Sequence, residues 1–388
     1  MSDPIATGVD ADFERARELA GVIHSRPELG FAEHFAADAL TRWLGDSGFT
    51  VTTGTAGLPT AFTAVSGSGG GTVAYMVEYD ALPGGLGHAC AHHLIAGGVT
   101  LAAVALAASR GDRPGRILVV GTPAEEGGGG KQLLLDAGAF DGVDAALMFH
   151  GADRTMVDRP MLASLVYRAT FTGTPAHAAK NPEAGRSALS AATLLLHAAD
   201  TMRVHFGADA RLHGIIEDGG QALNVIPERA VVAFQARAAT TTRAREIGRW
   251  FEESCQAAAT MTQTRVAVDR PTPEYAHLVS NPVLAAQCAR YLGDAGETVE
   301  PVAANEATAS TDAGNVSHRV PTLHPFVRVA PRGTPSHSTL LRDAGLEPLA
   351  FDGMRAAASA LARLGADVLD DEEFRARVRA AFVDDATR

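Results

Sequence analysis

Residues 116–126 read Arg116-Ile117-Leu118-Val119-Val120-Gly121-Thr122-Pro123-Ala124-Glu125-Glu126 and run directly into four glycines, Gly127 to Gly130. The apolar, β-branched stretch Arg116–Gly121 reads as a buried strand, and the two acids stand just past its end. Working outward, Thr72–Val77 reads as a second buried strand and Asp144–Phe149 as a third. Leu94–Ala108 and Gly129–Leu135, between them, read as helices. Strand alternating with helix is the pattern of an α/β fold, a mostly parallel sheet covered by helices. Two amphipathic helices, Phe13–His24 and Phe31–Leu44, precede it, split by the breaker run Pro27-Glu28-Leu29-Gly30.

Further on the order changes. Leu165–Thr172, Leu212–Ile216, Ala230–Ala236 and Thr264–Val268 read as strands, with helices over Ser187–Phe206 and Arg243–Ala258. Strand-helix-strand-strand-helix-strand is the ferredoxin-like βαββαβ order. It sits inside the chain, so three segments are expected: a catalytic domain over 1–161, an inserted domain over 162–271, and a return to the catalytic domain over 272–388. Asn281–Leu292 and Met354–Leu364 are expected helices of that return. The run Gly67–Gly71 reads as a hairpin turn, since it lacks the spacing of a phosphate-binding loop.

Composition excludes several functions. The 388 residues carry a net charge of −12 and no basic stripe, which argues against a nucleic-acid partner. Three scattered cysteines, Cys90, Cys255 and Cys288, make no disulfide framework. The N-terminus lacks a basic-then-apolar leader, and the most apolar stretch, Gly97–Ser109, is too short to span a bilayer. A cytoplasmic protein with no membrane partner is the expectation.

In open α/β sheets functional groups gather beyond the carboxyl ends of strands. Here the first strand runs into Glu78-Tyr79-Asp80 and then Cys90-Ala91-His92-His93, the second into Glu125-Glu126, and the third into His150. Imidazole, carboxylate and thiolate are the ligands of divalent transition metals. Of two adjacent glutamates, one can bind metal while the other takes a proton from a water acidified to a pKa of about 7. Each signal has a bland counterpart: a lone cysteine is usually a small buried apolar residue, and an acid pair usually a solvated one. Three such strand ends on one sheet edge are hard to read as chance. His24, His34, His197, His205, His213 and His277 have no such partners in sequence and read as structural or surface residues.

These motifs resemble the co-catalytic metallopeptidase family of aminoacylases and glutamate carboxypeptidases. The nearest branch is that of amidohydrolases acting on hippurate, indole-acetyl-amino acids and p-aminobenzoyl-glutamate. The likeness is carried by His24-Ser25-Arg26-Pro27-Glu28-Leu29-Gly30-Phe31, Glu78-Tyr79-Asp80-Ala81-Leu82-Pro83 and Gly87-His88-Ala89-Cys90-Ala91-His92. It continues through Gly121 to Gly128, Thr174-Pro175-Ala176-His177, Leu223-Asn224-Val225-Ile226-Pro227 and Ser310 to His318. The resemblance implies a metal-dependent hydrolase of the amide bond of a small N-acyl amino acid or dipeptide-like substrate with a carboxylate leaving group. It implies two divalent metal ions, zinc or manganese first and cobalt or nickel next, on Cys90, His92, Glu126, His150 and a C-terminal histidine. His337, in a loop beside Pro335 and Ser336, is the first candidate for that last ligand and His324 the competing one. Glu125 matches the general base, Asp80 the carboxylate supporting a ligand, His177 an oxyanion-stabilising histidine, and Asn224 a substrate contact. The inserted domain corresponds to a lid through which such enzymes form homodimers.

Two departures stand out. Ala91 occupies a position usually held by glycine; if it needs a positive φ, the strain costs about 1 kcal/mol or more. His93 replaces an acid or amide and could offer an extra ligand. Glu78-Tyr79-Asp80 points toward p-aminobenzoyl-glutamate-like or β-alanyl-dipeptide-like substrates. The alternatives are long-chain or aromatic N-acyl amino acids, longer peptides, and, in another class, a catalytically degenerate metabolite-binding dimer.

Overall fold

The computed structural model describes residues 3–303, 306 and 309–382. Helices α1 (Pro4–Ser25) and α2 (His34–Asp46) open the chain, followed by strands β1 (Thr50–Thr53), β2 (Phe62–Ser66) and β3 (Thr72–Val77). Next come α3 (His92–Arg110), β4 (Arg116–Gly121), α4 (Gly130–Asp136), β5 (Ala145–Leu147) and β6 (His150–Ala152). A second stretch holds β7 (Ala163–Thr172), α5 (Ala188–Met202), β8 (Ala210–Asp218), β9 (Arg229–Ala238), α6 (Thr241–Thr262) and β10 (Arg265–Asp269). The chain ends with α7 (Pro282–Asp294), α8 (Ala313–Ser317), β11 (Thr322–Leu323), β12 (Phe326–Arg328), α9 (Thr339–Ala344), α10 (Pro348–Asp370) and α11 (Glu372–Ala381).

Two compact units result: one from the segments before Met161 and after His277, the other from Met161–His277 with a short return near Ser310. The first is mixed α/β around a six-stranded sheet in the order β1-β2-β4-β3-β5-β11. From β4 to β11 every pairing is parallel; β1 and β2 form an antiparallel edge. All six residues of β3 are buried, as a strand covered on both faces requires. Helix α3 packs between α1 and α10 and is buried nearly along its whole length. At 19 residues it is long and apolar enough to cross a membrane, so the shorter apolar span read from sequence underestimates it. It is an interior helix, with 83% of its most apolar window buried.

Several boundaries move for local reasons. Helix α1 begins nine residues before Phe13 because Asp3 caps it, accepting from the Ile5 and Ala6 amides, with Pro4 in the first turn. Helix α2 starts at His34 and not Phe31, since Phe31 sits in the left-handed region at φ 64°. The expected third strand, Asp144–Phe149, is shorter: β5 covers Ala145–Leu147 in the main sheet, and β6, which follows it, pairs with β12 in a separate two-stranded ribbon. The expected hairpin at Gly67–Gly71 is a correction. Strands β2 and β3 are not neighbours, so this run crosses the end of β4, and a Cβ on Gly67 would meet the Gly115 carbonyl at 2.3 Å.

The second unit is a four-stranded antiparallel sheet in the order β10-β7-β9-β8. Helices α5 and α6 pack on it around Leu165, Phe171, Leu195, Phe234, Ile247 and Phe251.

Candidate metal centre

Parallel neighbours end on the same side, so β4, β3 and β5 deliver their following loops to one sheet edge. After β4 the Thr122 amide and hydroxyl both donate to the Val77 carbonyl, tying that loop to the end of β3. The chain then turns at Ala124, left-handed at φ 60°, whose amide donates to the buried Glu33 carboxylate at 2.8 Å. Glycine is required just beyond: a Cβ on Gly130 would sit 1.9 Å from the Pro123 carbonyl oxygen. Glu125 and Glu126 project from this turn.

Their surroundings gather the other candidates. The donor atoms of Cys90, His92 and His150 lie within 4.8 Å of one another, as do those of Cys90, Glu126 and His337, and of His92, Glu125 and Glu126. Cys90 Sγ is 3.4 Å from His150 Nε2, and His337 Nε2 is 3.5 Å from Glu126 Oε1. Asp80 braces two of these groups: Oδ1 is 2.9 Å from His92 Nδ1, and Oδ2 accepts from the Glu126 amide. That hydrogen bond leaves His92 Nε2 facing the cluster. His150 Nδ1 donates to the Gly151 carbonyl, which likewise leaves Nε2 toward Cys90.

The C-terminal histidines separate. His337 reaches the cluster from a left-handed position, φ 54°, with its amide donating to the Ala89 carbonyl. His324 is fully buried, its ring centroid 5.7 Å from that of His150, and joins none of the donor groups among the described residues. His93 turns away too: its Nε2 donates to the Gly345 carbonyl and its ring packs against His24 and His88. Ala91 does adopt the left-handed conformation, φ 63° and ψ 21°, as N-cap of α3.

His177 and Asn224 lie in the second unit, both exposed and side by side, with the Ala178 amide donating to the Asn224 carbonyl. His177 Nδ1 accepts from the Ala179 and Lys180 amides, so in the neutral ring Nε2 carries the proton.

Sequence reading quoted Glu78 and Asp312 within motifs without giving either a role of its own, and passed over Lys131. All three are fully buried, with Lys131 Nζ 2.5 Å from both Glu78 Oε1 and Asp312 Oδ1. Nothing in the sequence around Lys131, which follows four glycines, marks it as an interior ammonium. Burial opposes charge on Glu78, but Lys131, His92 and His324 outweigh it and hold the carboxyl at about 2. Burial, then Glu78, Glu126 and Asp312, push Glu125 well above the carboxylate range. Burial and the neighbouring histidines hold His150 at about 3, so its ring is neutral.

The donor set fits a divalent cation. His92 Nε2 and Glu126 Oε1 are buried with no hydrogen-bond partner among the described residues. Burial and Glu126 raise the Cys90 thiol well above its usual value, a bias that a bound cation reverses. Beside Glu126 and Asp80 opens a cleft with an apolar wall of Leu29, Phe31, Ala81 and Pro83.

Residues 74–347, from mid-β3 to just before α10, match the model of peptidase family M20/M25/M40. Mouse Xaa-Arg dipeptidase is 32% identical, with 97% of this chain and 91% of that protein covered. One of the chains that make up p-aminobenzoyl-glutamate hydrolase in Escherichia coli (strain K12) is 31% identical over 92% of this chain and 90% of its own length. The crystal structure of Bacillus subtilis YxeP, a dinuclear metal-binding peptidase of family M20, shares the fold. Its TM-score is 0.66 at 18% identity, covering 92% of this chain and 99% of that one. The family model and the fold thus agree, and the chain is a member of the M20/M25/M40 peptidase family, an amide-bond hydrolase.

Proposed function

We propose that the protein hydrolyses the amide bond of a small N-acyl amino acid or dipeptide-like substrate whose leaving group carries a carboxylate. The observation that carries this reading is the convergence of the Cys90, His92, Glu125, Glu126, His150 and His337 donor atoms beside an apolar cleft. Cys90, His92, Glu126, His150 and His337 would hold two divalent ions, zinc or manganese first, cobalt or nickel next. Such ions, when bound, acidify a water and polarise the scissile carbonyl. Glu125, beside Glu126 and His92, takes the proton of the attacking water and returns it to the leaving nitrogen. Asp80 fixes the tautomer of His92. His177, with its proton on Nε2, is a donor for the developing oxyanion, and Asn224 a substrate contact.

The names of two relatives support p-aminobenzoyl-glutamate or a dipeptide, Xaa-Arg dipeptides included, as the first substrates to test. Glu125→Gln should lower kcat by about 10²–10⁴-fold with bound metal unchanged. Retained turnover would dismiss the mechanism. Comparing kcat/KM for p-aminobenzoyl-glutamate, dipeptides and aromatic or long-chain N-acyl amino acids identifies the substrate class.

Residues 162–271 are proposed as an inserted ferredoxin-like lid that also forms a homodimer, in a cytoplasmic protein. Supporting the first part, the sheet order β10-β7-β9-β8 is the fourth-first-third-second arrangement of a βαββαβ unit. Supporting the second, β8 is an edge strand that exposes Ile215 and Ile216, and Leu194 is exposed on α5. Light scattering should give twice the chain mass, and Ile215→Lys should give one.

A further inference from the structure

The carboxylates of Glu78, Glu125 and Asp312 place oxygens within 4.8 Å of one another, all buried. Three such oxygens are the donor set of a hard divalent ion. The fold fills that place from within. Lys131 Nζ stands 2.5 Å from Glu78 Oε1 and from Asp312 Oδ1, and the Lys131 amide donates to Asp312 Oδ2 at 2.9 Å. The side chain thus runs from the first turn of α4 to Glu78, just after β3, and Asp312, at the start of α8.

Glu78 is fastened by one oxygen only. Its other oxygen, Oε2, lies 3.5 Å from His92 Nε2, the ring nitrogen that Asp80 leaves unused. We propose that Lys131 is a positioning residue of the metal centre: as a built-in cation it closes the Glu78–Glu125–Asp312 pocket to a further ion. Through Oε1 it presents Glu78 Oε2 as an additional oxygen donor to the ion on His92. This rests on the two-metal reading above, and it assigns a donor beyond the five residues named there. An ammonium suits the task because it takes several acceptors at once and cannot be lost to a chelator.

The test uses the full chain loaded with Co²⁺, whose visible spectrum reports ligand number and geometry independently of turnover. Two variants are compared with the parent. Glu78→Gln keeps an oxygen for Lys131 but replaces the donor facing His92. Lys131→Met/Asp312→Asn removes one buried positive and one buried negative charge together, so the net buried charge is unchanged while Glu78 loses its anchor. The proposal expects both cobalt spectra to change in the same direction, and kcat to fall at least about tenfold with KM within about twofold, the split that marks a lost transition-state interaction. Spectra and kcat matching the parent in both variants would overturn it. If the double variant fails to fold, Glu78→Gln alone decides, since its ammonium contact is retained. A parent that binds no cobalt would instead defeat the two-metal reading itself.

Discussion

Glu33 carries no catalytic role, yet the geometry of the Glu125–Glu126 turn hangs on it. Its carboxylate is fully buried and accepts from two donors, the Thr60 hydroxyl and the Ala124 amide, each at 2.8 Å. Ala124 is itself buried and left-handed, a conformation that costs a non-glycine residue about 1–2 kcal/mol and must be held by its neighbours. Glu33→Ala removes both acceptors and leaves the Ala124 amide without a protein partner. A hydrogen bond to a charged group contributes about 1.5–3 kcal/mol, and an orphaned buried donor costs a further 1–3. Relief from burying a carboxylate offsets part of this, so the expected loss is about 2–4 kcal/mol. Glu33→Gln keeps one acceptor for Ala124 and should lose about 1 kcal/mol or less.

Urea unfolding with a common m value measures both, and kcat follows the turn. Glu33→Ala should lose activity beyond what its unfolded fraction explains, because Glu125 is the next residue after Ala124. A loss below about 1 kcal/mol with parental kcat would refute the reasoning. The pH dependence has a definite sign. Burial raises the Glu33 carboxyl above its ordinary value, outweighing its hydrogen bonds, so the folded chain holds this proton more readily than the unfolded one. Stability from this group is therefore full below the unfolded pKa and lost as pH rises through the folded one. The parent should gain on Glu33→Gln as pH falls from neutral into the carboxylate range.

Further outcomes follow from packing and burial. A Cβ on Gly151 would lie 2.8 Å from the Ala91 Cβ and from Val329 Cγ2, so Gly151→Ala should cost about 1–3 kcal/mol in urea unfolding and weaken metal binding by displacing Cys90 and His92. A neutral Gly151→Ala would contradict that contact. The buried Tyr75 hydroxyl donates to the Leu361 carbonyl at 3.0 Å; Tyr75→Phe should lose about 0.5–1.5 kcal/mol, with kcat unchanged. Burial, aided by Glu252, pushes the Cys255 thiol up to about 12, and burial alone does the same for Cys288. A native thiol assay at pH 8 should detect neither, and both should appear on unfolding. Fast native labelling of either would show that these helices open.

What the sequence disclosed, and what it withheld, divides along physical lines. Strands β3 and β4 were legible because both faces of each are buried, which leaves unbroken apolar runs. Strands β1 and β2 were not, being short and partly exposed. Periodicity ran past the true start of α2 because Phe31 is apolar and its left-handed backbone leaves no mark on pattern. The longer α1 did have a signal, Asp3-Pro4, which reads as cap and first turn. In the candidate site, Glu125, Glu126 and His150 stood just past apolar runs and Cys90 and His92 clustered after the first of them, whereas His337 came only from the resemblance. Lys131 did not, because a lysine in sequence is presumed solvated until tertiary structure supplies its two acids. His93 read as a spare ligand by its proximity along the chain. Adjacent residues on a helix point about 100° apart, and it faces His24 and His88 instead.

The first unit is discontinuous, and this has a consequence for the order in which a ribosome releases it. Glu78, Cys90, Glu125 and Lys131 emerge early, but Asp312, His337 and the strand β11 that flanks β5 follow only after the whole of Met161–His277 has been made. The ammonium of Lys131 therefore waits for its second acid, and the sheet for its last strand, across more than a hundred residues of synthesis. The first unit can close only after the inserted stretch has been made, and a chain truncated after Pro160 should be digested by protease as an unfolded one.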